Sequence, residues 1–152
     1  MKIETARLLM IPCDSHSLQI IKAQNYDNDS EIANHLKELD DDPTLYGWGS
    51  WLVLQKSDGL IIGDAGFKGK PNSRQEVEVG YGFLENYWGK GYAIEAVEGL
   101  MDRVFNGMAI KKVTAETNWD NLGSIRVLEK VGMVKTKITE DMVYWELKKQ
   151  QR

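Results

Sequence analysis

Apolar residues recur along this chain with two periods, and each period predicts a different element. In residues 76–84 apolar and polar side chains alternate, which is typical of a strand with one buried face. In residues 93–105 apolar side chains recur every three or four positions, which predicts an amphipathic helix. The repeating positions of that helix are Ala93, Ala96, Val97, Leu100 and Val104. A short turn that contains two glycines joins the strand to the helix.

Strand and helix patterns are mixed along the whole chain. The predicted strands are residues 3–11, 50–56, 60–68, 76–84, 112–117, 133–138 and 142–148. The predicted helices are a short one that ends at Ala23, and residues 31–39, 93–105 and 122–131. Residues 25–30 are expected to form a polar turn and residues 45–51 a loop. This order predicts an α/β (α+β) layer architecture around one sheet, in a single domain over residues 1–152.

The ends of the first two helices are predicted from capping and proline signals. Asp14 or Ser15 can accept a hydrogen bond from a first-turn N–H group, so the first helix should begin there. The side chains of that helix expected to face inward are Leu18, Ile21 and Ile20. Pro43 should end the second helix, because the residue before a proline avoids helical geometry.

Composition and charge restrict the class of protein. Hydrophobic residues make up 42% of the chain and charged residues 28%, which fits a folded soluble protein and excludes a disordered one. The net charge is −4. Binding to nucleic acid without sequence preference needs clustered Lys and Arg, so no nucleic-acid partner is predicted.

Targeting signals and metal-ligand patterns are not recognisable in the sequence. No stretch reaches the roughly 18 apolar residues of a membrane helix, and the N-terminus lacks the apolar core of a signal peptide. Cys13 is the single cysteine, which fits a reducing compartment. His16 and His35 fall in predicted surface helices without partners at ligand spacing. We therefore expect a cytoplasmic protein without a metal site or a membrane partner.

The turn between the alternating strand and the amphipathic helix predicts an anion site. Gly89 and Gly91 flank Lys90, and the helix begins near Ala93. The first N–H groups of a helix have no partner within it and carry partial positive charge. Glycines without a Cβ let a phosphate approach the backbone closely. A phosphate-bearing ligand is therefore expected at this turn.

Two common phosphate motifs do not fit the turn. A Walker-type loop needs a hydroxyl residue after its Gly-Lys pair, but Gly91 follows Lys90 here. The first glycine of such a loop is also replaced, by Leu84. A dinucleotide fingerprint needs a third glycine where this chain has Glu85.

A third pattern fits better. Residues 86–91, Asn-Tyr-Trp-Gly-Lys-Gly, match both glycines of the coenzyme A turn Gln/Arg-x-x-Gly-x-Gly/Ala of GNAT acetyltransferases, and differ from it at the first position. Residues 121–133 resemble the segment Asn-x-x-Ser-x-x-x-x-Glu-Lys-x-Gly-Phe of the same superfamily. Together the two segments resemble the GNAT branch that contains ribosomal-protein N-acetyltransferases. The resemblance implies a mixed, mostly antiparallel sheet of about seven strands, flanked by helices and splayed at the cofactor site.

The resemblance implies acetyl-coenzyme A as the acetyl donor, with its pantetheine arm between strands 76–84 and 112–117. The diphosphate would lie on the N–H groups of the glycine turn, and Lys90, Arg126 and Lys130 would approach the outer phosphates. The residues implied in cofactor binding are Phe83, Leu84, Trp88, Gly89, Lys90, Gly91, Tyr92, Ala93, Asn121 and Ser124.

The resemblance also implies direct transfer of the acetyl group to an amine, which must first lose a proton. Glu78 is the expected general base, acting through a water molecule. In a strand its side chain shares one face with Gly80 and Gly82, where missing side chains leave a groove. Glu76 and Glu116 are the alternative bases.

The proton donor for the departing thiolate is left open. Many relatives carry a tyrosine acid on the helix after Asn121, where this chain has Leu128. A thiol with a pKa of about 8.5 can leave as a thiolate without such an acid. Ser124 and Tyr144 are the remaining candidates for the donor.

The predicted partner is a primary amine that accepts the acetyl group. By family analogy a protein N-terminus is the leading acceptor, and a small amine such as an amino acid, a polyamine or an antibiotic is the alternative. A sensor that binds acyl-coenzyme A without catalysis, or a scaffold that binds no nucleotide, are rival classes. The sequence does not distinguish a monomer from a homodimer.

Overall fold

The computed structural model describes residues 1–27 and 30–152 and places their strands in one sheet. The strands are β1 (Ile3–Glu4), β2 (Leu8–Pro12), β3 (Ser50–Gln55), β4 (Ile61–Phe67), β5 (Glu76–Phe83), β6 (Lys112–Asn118), β7 (Val134–Ile138) and β8 (Met142–Lys148). The α-helices are α1 (Ser17–Ala23), α2 (Glu31–Asp41), α3 (Tyr92–Gly107) and α4 (Leu122–Lys130). The strand order is β1-β2-β3-β4-β5-β6-β8-β7, and every neighbouring pair is antiparallel except β5 and β6. The predicted α/β class with a mixed, mostly antiparallel sheet is confirmed.

The N-terminal segment differs from its prediction. Residues 3–11 form the hairpin of β1 and β2 and not one strand, so the described part of the chain has eight strands instead of seven. The Thr5 N–H group donates to the Leu8 carbonyl at 3.0 Å, and the Leu8 N–H group donates to the Thr5 hydroxyl at 3.1 Å. The single-strand prediction is wrong because the threonine hydroxyl gives the backbone a local partner, which closes a turn.

Helix α1 also begins later than predicted. It starts at Ser17 without a side-chain cap, because the Asp14 N–H group donates to the Ser17 hydroxyl at 2.9 Å and keeps the preceding residues in a turn. Leu18 is 42% exposed, so its predicted inward position is wrong. Ile20 and Ile21 pack against the core as predicted.

The remaining helices and strands lie within two residues of their predicted bounds. The two hairpins predicted from sequence, β3 with β4 and β7 with β8, are both present. Asp42, the residue before Pro43, has extended backbone and follows the last residue of α2, as the proline rule predicts. The predicted polar turn over residues 25–30 includes Asn28 and Asp29, which lie outside the described residues.

Helices pack on both faces of the sheet. Helices α3 and α4 contribute to the larger core, together with one face of the strands. The largest fully buried side chains of this core include Trp51, Trp145, Phe105, Leu8 and Met10. Helix α2 and partly buried residues of α1 pack on the other face, in a smaller core built from Cys13, Ile32, Leu52, Leu54 and Ile61. Each large side chain contributes about 1.5–3 kcal/mol through burial, so the two cores hold the sheet rigid below the site.

Strands β5 and β6 pair over only three residues. Glu76, Val77 and Glu78 pair with Lys112, Val113 and Thr114. Beyond Glu78 the strands part: β5 continues beside β4 through Phe83, and β6 continues beside β8 through Asn118. The splay implied by the family resemblance is therefore present, and it opens on the side where β5 leads into α3.

Neither a membrane-spanning helix nor a metal-binding group is present among the described residues, 1–27 and 30–152. None of their helices is both long and apolar enough to cross a bilayer. None of their His, Cys, Asp and Glu side chains form a group of three or more that could hold a metal ion.

Cys13 is fully buried, and burial raises the pKa of its thiol to about 12, so it is a packed side chain and not a nucleophile.

His35 is buried, contrary to its predicted surface position, and its burial predicts a pH dependence of stability. Its side chain packs against Gly49 so closely that a Cβ there would overlap the imidazole. Burial lowers the pKa of His35, although Glu38 opposes the shift. An unfolded histidine titrates at about pH 6.5. The free energy of unfolding is therefore highest above that pH and falls as the pH drops from about 6.5 toward the lowered folded-state pKa.

This expectation is checked by urea denaturation at about pH 7.5 and about pH 5.5. Wild type should lose more stability between the two values than His35→Gln, which cannot take up the proton. His16→Gln is the matched control, because the His16 side chain is 86% exposed, and it should follow wild type. Equal losses for wild type and His35→Gln would contradict the assignment.

Candidate active site

A cavity of about 680 Å³ lies where β5 and β6 part. Its walls are formed by the end of β5, the turn before α3, the first turn of α3, and α4. The volume is within the roughly 300–1,000 Å³ that small-molecule sites occupy. The cavity is therefore the principal candidate for a ligand site among the described residues.

The turn before α3 forms one wall, with five of the predicted phosphate residues. Trp88, Gly89, Gly91, Tyr92 and Ala93 line the cavity. Gly89 and Gly91 have φ angles of 72° and 83°, a region that favours glycine. Gly91 is the N-cap of α3, and no side chain caps this helix. The first N–H groups of α3 are therefore available to a ligand in the cavity.

Lys90 does not line the cavity with its neighbours in the turn. Its carbonyl accepts a hydrogen bond from Nη1 of Arg7 at 3.0 Å. Its ammonium lies 5.7 Å from the centroid of the Tyr87 ring. Lys90 is thus not part of the cavity wall, although its ammonium lies over the ring of Tyr87, which does line the cavity.

Helix α4 forms the opposite wall of the cavity. Asn121 is its N-cap, and the side-chain oxygen of Asn121 accepts from the Ser124 N–H group at 3.2 Å. Both residues line the cavity. Arg126 and Lys130 line it as well, and their spacing of four places them on one side of the helix. Their charges suit a ligand that carries phosphates.

The β5 edge that faces the gap has one occupied carbonyl. Phe83 lines the cavity, and its carbonyl accepts from the Trp88 indole N–H group at 2.8 Å. The Leu84 N–H group donates to the Ile62 carbonyl at 2.9 Å, so it is not free to bond a ligand. Backbone groups alternate in direction along a strand, so residues 79, 81 and 83 direct theirs toward the gap.

Glu78 lies where β5 and β6 part, since it is the last β5 residue that pairs with β6. Its carboxylate forms an ion pair with Nζ of Lys68 at 3.0 Å, and its side chain is 28% exposed. It shares a strand face with Gly80 and Gly82. A Cβ at Gly80 would lie 3.1 Å from Cε of Lys68, whereas a Cβ at Gly82 would meet no atom within 4 Å. This face is therefore covered by Lys68 next to Glu78 and open at Gly82.

The two alternative bases have different surroundings. Glu76 accepts from the Asn72 amide at 3.0 Å and pairs with Lys112 at 2.9 Å, and these contacts lower the pKa of Glu76. A general base works best when its pKa lies near the operating pH, so this environment disfavours Glu76. Glu116 is exposed on β6, opposite Tyr144 on β8.

The two candidate proton donors are not brought together. Ser124 lines the cavity, whereas Tyr144 does not. The Tyr144 ring lies 5.5 Å from Nζ of Lys137. Tyr81 is a further hydroxyl at the cavity, and it donates to the Ser124 carbonyl at 3.3 Å. Burial raises the pKa of Tyr81, so this phenol remains protonated.

Six cavity residues were not assigned to cofactor binding or catalysis from the sequence. They are Tyr81, Gly82, Tyr87, Ile94, Gly123 and Val127. Gly123 and Val127 form a helical stripe with Arg126 and Lys130, at i, i+3, i+4 and i+7, so the helical period could have identified them. Tyr81 had no such signal, because strand alternation assigns it to the buried face without indicating that β6 has moved away.

Known proteins resemble this chain in sequence. A profile described as an acetyltransferase (GNAT) domain matches residues 13–134. The uncharacterized N-acetyltransferase YjdG of Bacillus subtilis (strain 168) is 30% identical over 99 residues, which cover 65% of this chain and 59% of YjdG. The chain spans 52–64% of the length of the first three curated relatives that it matches.

Solved structures resemble the chain over nearly its whole length. The ribosomal-protein-S5-alanine acetyltransferase from Vibrio fischeri is 17% identical with a TM-score of 0.75, covering 98% of this chain and 97% of that one. The dodecameric spermidine N-acetyltransferase from Vibrio cholerae is 13% identical with a TM-score of 0.76, covering 97% and 96%. At sequence identities this low, the structural similarity shows the fold alone. Because the profile match over residues 13–134 extends through this fold and both walls of the cavity, the chain belongs to the GNAT acetyltransferase family.

Proposed function

We propose that this chain is an N-acetyltransferase that moves the acetyl group of acetyl-coenzyme A directly to a primary amine in a ternary complex. The observation that carries the proposal is the cavity between β5 and α4, with the N-terminus of α3 in its wall. Coenzyme A combines an extended arm with a diphosphate, and the cavity combines a strand edge with unpaired helix N–H groups. We also propose that residues 1–152 form one catalytic domain.

The parts of the donor are assigned to different walls. The Trp88 N–H group donates to the Glu85 carbonyl at 3.1 Å, so the backbone N–H groups of residues 89–93 bind the diphosphate. Arg126 and Lys130 bind the remaining phosphate. Phe83, Asn121 and Ser124 border the arm. The cavity fits this donor because free N–H groups of α3 lie in one wall and the cations Arg126 and Lys130 of α4 lie in the opposite wall.

The proposed chemistry uses few groups of the protein. Acetyl-coenzyme A supplies an acetyl group on a thiol. Glu78 accepts a proton from the acceptor ammonium through a water molecule, and the neutral amine then attacks the acetyl carbon. As the C–N bond forms and the C–S bond breaks, the nitrogen loses a second proton, which passes to the departing thiolate. Ser124 is the preferred proton donor to the thiolate, because it lines the cavity and Tyr144 does not.

The acceptor that we favour is a protein N-terminal amine, and a small amine is the second choice. The Vibrio fischeri neighbour bears the name of a ribosomal-protein acetyltransferase and the Vibrio cholerae neighbour that of a spermidine acetyltransferase. Both acceptors carry an ammonium before reaction, and the net charge of −4 attracts either one. The strand face at Gly82, where a Cβ would meet no atom within 4 Å, leaves room for the end of a longer chain.

Binding of coenzyme A to the glycine turn is tested with two matched variants. Gly89 has a φ of 72° and Gly59, in the turn between β3 and β4, has a φ of 74°; a Cβ would meet no atom within 4 Å at either one. Alanine at either position therefore costs a similar amount of stability, about 1–2 kcal/mol. Gly89→Ala should weaken coenzyme A binding about tenfold or more in calorimetry, and Gly59→Ala should bind as wild type. Equal affinity in all three proteins would overturn the assignment.

Catalysis is tested by thiol release from acetyl-coenzyme A across a panel of amines. The panel contains peptides with free N-termini, spermidine, amino acids and an aminoglycoside. The assay has a low background, because Cys13 is the only protein thiol and it is fully buried. Turnover with a peptide supports the favoured acceptor, and turnover with a small amine alone supports the second. Tight binding without turnover on any amine would favour a non-catalytic sensor.

A further inference from the structure

Arg7 connects the β1–β2 turn to the glycine turn before α3. Its Nη1 donates to the Lys90 carbonyl at 3.0 Å, and its guanidinium carbon lies 4.2 Å from the centroid of the Tyr92 ring. A Cβ at Gly91 would lie 3.4 Å from Nη2 of Arg7. The guanidinium therefore contacts Lys90 and Tyr92 and lies beside Gly91 between them.

Glu95, in the first turn of α3, holds Arg7 in this position. Its Oε1 accepts from Nε of Arg7 at 2.8 Å, and its Oε2 accepts from the Arg7 backbone N–H group at 2.8 Å. The Thr5 hydroxyl donates to the same Oε2. The Glu95 side chain is 18% exposed, so these contacts are partly shielded from water. The guanidinium thus has a fixed direction toward Lys90.

The bond from Arg7 to the Lys90 carbonyl determines the direction of the next N–H group. The peptide between Lys90 and Gly91 is trans, so its C=O and N–H groups point in opposite directions. The carbonyl points toward Arg7, outside the cavity. The Gly91 N–H group therefore points to the opposite side, where Gly91 lines the cavity.

We propose that Arg7, held by Glu95, is a positioning residue that orients the Lys90–Gly91 peptide so that its N–H group faces the diphosphate of the donor. Glycines lie on both sides of Lys90, and glycine adopts positive and negative φ about equally, so this peptide can rotate when the carbonyl loses its partner. The inference rests on the proposed function, because it assumes that coenzyme A binds this wall.

A purely structural role for Arg7 would have different consequences. Helix α3 is anchored by Ala96, Val97 and Leu100, which are fully buried in the larger core. The Arg7 side chain is 43% exposed, and ion pairs at the surface contribute little to folding stability. Loss of the contact should therefore alter the turn and leave the fold intact.

The test compares Arg7→Lys with wild type, because lysine keeps the charge but cannot contact both Glu95 and the Lys90 carbonyl through a planar fork. Calorimetry should show coenzyme A binding weakened by about 10- to 100-fold, the factor for one hydrogen bond to a charged group. With acetyl-coenzyme A and an amine that wild type accepts, KM should rise and kcat should stay unchanged. With S-acetylpantetheine, which lacks the diphosphate, kcat/KM should equal that of wild type.

The matched control is Arg103→Lys. Like Arg7, Arg103 lies over an aromatic ring, and its guanidinium carbon is 5.3 Å from the centroid of the Trp51 ring. Arg103 does not line the cavity, and its variant should bind coenzyme A as wild type does. A second measurement can be made on the wild type alone: in amide NMR, coenzyme A should shift the Gly91 N–H signal downfield. Where Arg7→Lys folds, it should lose that shift.

Each other outcome overturns one identifiable claim. Wild-type affinity in Arg7→Lys shows that charge alone suffices and overturns the positioning role. An equal loss with S-acetylpantetheine shows general damage and also overturns it. A Gly91 signal that coenzyme A leaves unchanged in the wild type overturns it even if the variant fails to fold. Absence of coenzyme A binding to wild type overturns the proposed function itself.

Discussion

Replacing Glu78 by glutamine should lower the rate of thiol release by about 10²–10⁴-fold, the usual contribution of a general base. Glutamine keeps the size of the side chain and can still accept a hydrogen bond from Lys68, but it cannot take a proton from the ammonium. Glu78 is the last residue of β5 that pairs with β6, and the same strand face is open at Gly82. Affinity for coenzyme A should not change, because Glu78 does not line the cavity.

Glu76→Gln is the matched control for this experiment. Glu76 is on the same strand face, two residues before Glu78, and its contacts with Asn72 and Lys112 lower its pKa. We expect Glu76→Gln to retain most of the wild-type rate. Undiminished thiol release in Glu78→Gln would show that the base is misassigned, and a loss in Glu116→Gln would then transfer the role to β6.

Gly66→Ala should destabilise the protein by about 3 kcal/mol or more, at the upper end of what overpacking costs. Gly66 is in β4, paired with Ser50 of β3, and its surroundings are buried. A Cβ at this position would overlap the Gly49 carbonyl oxygen and lie 3.0 Å from the Gly49 carbonyl carbon. These atoms belong to the backbone, so the contact cannot be relieved by a side-chain rotation.

Gly82→Ala is the matched control for stability. Gly82 is on the neighbouring strand β5, paired with Asp64, which is two residues from Gly66. A Cβ there would meet no atom within 4 Å. Alanine reduces the freedom of the unfolded chain, so Gly82→Ala should be neutral or more stable by up to about 1 kcal/mol. Urea denaturation measures both variants, and a Gly66→Ala midpoint near that of wild type would contradict the close packing of β3 and β4.

Much of the fold could be predicted from local patterns. The stripe from Ala93 to Val104 is buried as a helix, and the alternating residues 76–83 form a strand. Such patterns succeed because period and burial are linked within one element. The prediction failed at three positions. The Thr5 hydroxyl bonds to the backbone and closes a turn, Leu18 lies at the surface, and His35 packs against Gly49. Each of these depends on neighbouring atoms that the periodicity of the sequence does not reveal.

The candidate site was only partly visible in the sequence. The glycine turn was recognisable because positive φ angles require residues without a Cβ, and Gly89 and Gly91 have such angles. Arg7 was not recognisable, because its partner Glu95 lies 88 residues away. The hydrogen bond from Trp88 to Phe83 was missed as well, since an indole N–H group gives no indication of its acceptor.

By itself the sequence determined the types of the elements, the location of the glycine turn before α3 and the family of the protein. These properties depend on residue spacing over short distances. Only the tertiary structure decided where β5 and β6 part, which residues of α4 face the gap, and which way the Lys90–Gly91 peptide points. Each of these depends on contacts between segments far apart in the chain, and such contacts form only when the two cores pack against the sheet.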